Sequence, residues 1–166
     1  MKILIAYTTK TGTAREAAEL LASLLTNCEV TVCDLALTSP VPTEFDYVVL
    51  GCPVRMARCD KVMRAYLKKW AGTIEKLPHA LFLCCAVADQ FENYLEFIYP
   101  AGLLESAEHK CYFGGTLDLA RQKGLDKILV RMMRNAVRES EDNDAALPGF
   151  LPEHVRMLGD ALRQKN

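Results

Sequence analysis

At 166 residues, 51% of them hydrophobic and 25% charged, the chain has the size and composition of one soluble globular domain, long enough to bury an apolar core without cross-links. A formal net charge of −1 excludes any global attraction to nucleic acid or another polyanion. No apolar run approaches the roughly 20 residues that would span a bilayer, and the opening Met1-Lys2-Ile3-Leu4-Ile5 lacks the parts of a secretion signal, so a cytoplasmic location is expected.

Residues 2–7 (KILIAY) are a short apolar, β-branched run ending at polar residues, the pattern of a buried parallel strand. From Thr13 onward, Ala14, Ala17, Ala18, Leu21 and Leu25 recur at helical spacing. Residues 29–33 alternate and predict a second strand at or near a sheet edge, followed by a loop at Pro40 and Pro42. Residues 47–51 predict a third strand running into Cys52-Pro53. Val62, Met63, Tyr66, Leu67 and Trp70 then line one face of a helix closing near Gly72. Residues 80–86 predict a fourth, wholly apolar strand, 90–105 a helical stretch interrupted by Pro100 and Gly102, and 110–115 a fifth strand. The last helix begins near Pro152, with Val155, Leu158 and Leu162 facing inward. Strand alternates with helix about five times, which predicts one α/β domain over 1–166 built on a doubly wound parallel sheet. The order 2-1-3-4-5 is expected, with its switch point beside strands 1 and 3.

The turn after strand 1 reads Thr8-Thr9-Lys10-Thr11-Gly12-Thr13-Ala14 and opens straight into a helix. A helix amino terminus carries unpaired N–H groups and about half a positive charge, which together hold an anion. Four threonine hydroxyls add donors, Lys10 adds a point charge, and Gly12 permits a tight turn. There is neither a Gly-x-Gly-x-x-Gly for a dinucleotide nor a Gly-Lys-Ser/Thr for a nucleoside triphosphate. Threonines also cap helices, but one suffices for that. The cluster therefore predicts a phosphate-bearing ligand.

Seven cysteines occur without a Cys-x-x-Cys pair. Cys28, Cys33, Cys84, Cys85 and Cys111 fall in or beside strands, where a reduced thiol serves as a small hydrophobe. Cys52 and Cys59 flank the loop after strand 3. His79, His109 and His154 are scattered along the chain, so neither a catalytic thiol nor a metal site is expected; no catalytic residue is assigned.

Tyr7-Thr8-Thr9-Lys10-Thr11-Gly12-Thr13 resembles the FMN phosphate loop of flavodoxins, matching at Thr9, Thr11 and Gly12 and departing at Ala14, where flavodoxins usually carry a final threonine. Gly51-Cys52-Pro53-Val54-Arg55 and Gly114-Gly115-Thr116-Leu117 are similar to segments of the menaquinone-dependent protoporphyrinogen oxidase family. The resemblance implies a flavodoxin-like fold, FMN as cofactor, and oxidation of a reduced porphyrin with transfer to a quinone or a redox partner protein. It also implies that the flavin ring lies between Pro53, Val54, Arg55 and Met56 on one loop and Val87, Ala88 and Asp89 on the next. Met56 and Ala57 stand where that family generally carries tyrosine and glycine. Arg55 reads either as a ring contact or, with Arg58, as part of a solvated loop. Tyr94 reads either as a stacking residue or as helix packing.

Residues 124–138 (GLDKILVRMMRNAVR) predict an extra helix before the last one, with Leu125, Ile128, Leu129, Met132 and Met133 on one face and Lys127, Arg131, Arg134 and Arg138 on the other. Such a helix either packs on its own domain or docks on anionic lipid or a partner. An FMN-dependent oxidoreductase leads among the functional readings. A small electron carrier and a flavin-free binding module are the alternatives.

Overall fold

The computed structural model describes residues 1–54, 58–115 and 149–165. Five strands, β1 (Lys2–Tyr7), β2 (Glu29–Asp34), β3 (Tyr47–Pro53), β4 (His79–Cys84) and β5 (His109–Tyr112), pair in parallel in the order β2-β1-β3-β4-β5. This is the expected doubly wound order. Both flanks of β1, β3 and β4 are covered, which is why their sequences are apolar at nearly every position. β2 lies at the edge and alternates, with Cys33 buried and Glu29, Thr31 and Val32 exposed.

Alternate side chains along the strands feed two cores. Ile3, Ile5, Val49 and Phe82 face helices α1 (Thr13–Leu24) and α5 (Pro152–Arg163), meeting Ala17, Leu21, Val155 and Leu162. Leu4, Ala6, Val48, Leu50 and Leu83 face α2 (Lys61–Ile74), α3 (Phe91–Ile98) and α4 (Ala101–Ser106), meeting Met63, Leu67, Ile98 and Leu103. Small residues set the spacing. Gly159 of α5 lies against Leu24 of α1, where an added Cβ would come within 3.1 Å of that side chain. Gly51 of β3 leaves room for its register partner Phe82, whose ring would lie 2.0 Å from an added Cβ.

Several boundaries differ from the sequence expectation, each for a local reason. The helical stretch 90–105 breaks before Pro100, which has no N–H to continue the ladder, whereas Gly102 sits inside α4. Gly72 likewise lies within α2, which runs on to Ile74, and Val62 points partly to solvent. β5 stops at Tyr112 because Gly114 turns into positive φ (+72°) and pairs antiparallel with Phe150. No α-helix joins β2 to β3. Residues 35–46 hold only a short 3₁₀ turn at Pro42–Glu44, and a cavity of about 400 Å³ opens between Leu35, Ser39 and the α2 side chains Lys61, Val62 and Tyr66. The expected helix at 124–138 lies outside the described residues, as do Thr116 and Leu117. Among the described residues, no helix is long and apolar enough to cross a membrane.

Candidate functional site

In a parallel sheet all carboxyl ends point to one edge, and the loops after β1, β3 and β4 lie side by side there. The first of these loops is held to the sheet by its own backbone: the Thr8 amide donates to the Gly51 carbonyl of β3 at 3.1 Å. The Gly12 amide donates to Thr9 Oγ1 at 3.0 Å, closing a small turn. Gly12 then takes φ +94° as the residue before α1, a conformation side-chain-bearing residues rarely adopt.

What remains unsatisfied at this point is informative. No side chain caps α1, and the Glu16 amide donates to the Gly12 carbonyl at 2.9 Å. Thr8 is only 2% exposed, and its Oγ1 is buried without a hydrogen-bond partner. Thr13 and Ala14 are buried in the first turn, Thr11 is half-buried, and Lys10 is exposed. Arg15 sits 3.5 Å from Asp34, and its contacts to Tyr7 and Asp34 hold its pKa above the ordinary value. The four threonines thus play different parts: Thr9 shapes the turn, whereas Thr8 carries a hydroxyl with nothing to bond.

The loop after β3 starts at the half-buried Pro53 and Val54, and the Val54 amide donates to the Cys84 carbonyl at 2.9 Å, tying this loop to the end of β4. Arg55 and Met56 lie outside the described residues; Arg58 is exposed. Beyond β4, Val87, Ala88 and Asp89 are all exposed on a 3₁₀ turn that ends at Gln90. Tyr94 is half-buried against the core beneath α3, the packing arrangement, while Phe91 meets Tyr112 at 5.7 Å between ring centres.

Two features escaped the sequence reading. Asp60 caps α2, its Oδ1 accepting from the Val62 and Met63 amides at 2.8 and 3.0 Å. Cys52 and Cys59 are both buried, within the one core cluster that α2 covers. Two of the three imidazoles serve the backbone: His79 reaches the Leu77 and Leu103 carbonyls at 2.8 and 2.9 Å, and His154 the Tyr112 carbonyl at 2.6 Å.

A family model described as Flavodoxin domain matches residues 4–144. Among solved structures, the chain is similar to rubredoxin oxygen:oxidoreductase from the anaerobe Desulfovibrio gigas, with a TM-score of 0.53 at 11% identity over 96% of this chain and 36% of that one. It therefore spans about a third of that protein's length. A short-chain flavodoxin associated with a non-canonical PDU bacterial microcompartment aligns at TM-score 0.51 and 14% identity, covering 85% of this chain and 99% of the other. A Fusobacterium nucleatum flavodoxin bound to flavin mononucleotide aligns at 0.50 and 13%, covering 83% and 97%. No curated protein matches the chain. At these identities the structural likeness carries the fold alone.

Proposed function

We propose, from the premise that the chain belongs to the flavodoxin domain family, that it binds FMN at the carboxyl edge of its sheet and works as an FMN-dependent oxidoreductase. The observation that carries this reading is the buried Thr8 hydroxyl without a partner, beside the uncapped amino end of α1. A buried polar group left unbonded costs about 1–3 kcal/mol, and a phosphate oxygen would relieve it. The same oxygens would lie at the amino end of α1, in a field that favours negative charge. Thr8, Thr9, Lys10, Thr11, Gly12, Thr13 and Ala14 form the phosphate cradle. The missing hydroxyl at Ala14 removes one donor and leaves the backbone donors in place.

Pro53 and Val54, continued by Arg55 and Met56, frame one side of the ring, and Val87, Ala88 and Asp89 frame the other. FMN supplies the capacity to pass electrons singly or in pairs. The chain anchors the phosphate, orients the ring between two loops tied together at Val54 and Cys84, and keeps one flank of the site out of water through the core beneath β3 and β4. The near-neutral charge of −1 supports an enzyme over a strongly acidic electron carrier. A reduced porphyrin as donor and a quinone as acceptor rest on the resemblance of Gly51–Arg55 and Gly114–Leu117.

The test is the visible absorption spectrum of the purified chain after FMN is added and the mixture is gel-filtered. Flavin bands that stay with the protein, and that inorganic phosphate displaces, support the reading. A colourless protein that releases all added FMN overturns it.

A further inference from the structure

The other connections between strands carry α-helices; the one from β2 to β3 does not. Its residues supply only the 3₁₀ turn at Pro42–Glu44, and a stripe of α2 is left facing the cavity of about 400 Å³. Val62, Ala65, Tyr66 and Lys69 make that stripe at steps of three and four, with Lys61 at its start. This is why Val62, a large apolar side chain, remains 38% exposed.

The wall opposite α2 is built rather than loose. The Leu35 amide donates to the Tyr7 carbonyl at 2.8 Å, and the Leu37 and Thr38 amides donate to the Asp34 carbonyl at 2.9 and 3.1 Å. The Tyr66 hydroxyl donates to the Pro40 carbonyl at 3.0 Å, tying this segment across to α2. The space between is therefore preformed, and its volume falls within the roughly 300–1,000 Å³ of small-molecule sites. Seven residues line it, whereas a stable protein interface takes about 20–30 a side.

The charges narrow the class of ligand. Lys61 and Lys69 both line the cavity and stand eight residues apart, about 12 Å along the helix axis. The carbon surface of Leu35, Val62, Ala65 and Tyr66 lies in the same cavity. Among the described residues neither lysine has an acidic partner. The Lys69 ammonium rests 4.7 Å from the centre of the Trp70 ring, a contact that uses none of its three N–H donors on an oxygen.

We infer that this cavity binds an elongated apolar acid with a carboxylate at each end. Its carbon body lies on Leu35, Val62, Ala65 and Tyr66, and its two carboxylates meet Lys61 and Lys69. Apolar burial supplies the affinity, and the lysines supply selectivity for charge at both ends and a dependence on salt. The site shares no residue with the threonine turn, so it stands whether or not the chain binds FMN.

The test is a titration of the isotope-labelled full chain with decanedioate, at low salt and without added FMN, followed in amide correlation spectra. Expected are saturable shifts at Leu35, Val62, Ala65 and Tyr66. Decanediol, which keeps the body and drops both charges, should bind about fivefold or more weakly. Lys61→Gln and Lys69→Gln should each weaken decanedioate by about two- to fivefold and leave decanediol unchanged, a split that a merely structural role would not produce. Ala65→Trp fills the cavity from an exposed helix position and should abolish binding. Shifts that map elsewhere, no shift up to the solubility limit, or equal affinity for diacid and diol overturns the proposal. So does a response of these residues to an acidic amphipathic peptide but not to decanedioate, which would make the stripe a protein-docking face. If the tryptophan variant does not fold, the two glutamine variants decide the matter alone.

Discussion

Two helices begin at the same edge of the sheet, after the adjacent strands β1 and β3, and their amino ends are finished in opposite ways. α2 is closed from within: Asp60 supplies a carboxylate that accepts two first-turn amides. α1 starts at Gly12 with no side chain to cap it and with the Thr8 hydroxyl buried and unbonded beside it. The backbone groups are the same in both, with the same partial positive charge. The difference is what the proposed FMN site calls for: one end complete as folded, the other to be completed by the phosphate. A helix amino end alone proves little; an uncapped one beside a buried orphan hydroxyl is a much narrower arrangement.

The comparison is broken most forcefully by giving α1 what α2 has. Gly12→Asp places a carboxylate where the phosphate would sit; a Cβ at Gly12 meets nothing within 4 Å, and the φ of +94° costs the variant about 1–2 kcal/mol of stability. Like charges forced together cost several kcal/mol, so FMN affinity measured by isothermal titration should fall by about 100-fold or more while the fold persists. Thr8→Val sharpens the contrast with two readouts of opposite sign. Affinity for FMN should drop by about tenfold, since a hydrogen bond to a charged group is lost. Stability of the ligand-free protein in urea should rise by about 1 kcal/mol, because the unbonded hydroxyl is gone. A variant that loses stability instead would mean that Thr8 is already satisfied within the fold. Asp60→Ala has the smallest expected effect: about 1 kcal/mol of helix capping, read as a thermal midpoint lowered by about 2–4 °C. Here a large loss of phosphate affinity would show that the two ends are not independent.

Much of this molecule was legible before its structure. Apolar runs as clear as KILIAY and ALFLCC become strands buried on both faces, because few other structures hide so many consecutive apolar residues in so short a length. The turn at Thr8–Ala14 was legible as well, since hydroxyls and a glycine before a helical period narrow the chemistry. The roles within it were not. Nothing in a row of threonines says that Thr9 turns back to the Gly12 amide while Thr8 is buried without a partner. The burial of Cys59 in the same core cluster as Cys52 was out of reach for the same reason. Gly72 and Gly102 misled as helix breakers because glycine lowers helix propensity without forbidding a helix that tertiary contacts favour.

Gly51 and Phe82 set a further condition on the edge. They face each other across β3 and β4, and the ring fills the volume a Cβ at position 51 would need. A slip of β3 by one residue would set a side chain against that ring and turn every neighbour to the opposite face. The pair works as a detent, a notch and a tooth that index one strand to the next. The Gly51 carbonyl is also the acceptor for the Thr8 amide. The height of the threonine turn above the sheet is thereby gauged from the same notch that aligns β3 with β4, so the two halves of the edge keep step through a single missing side chain.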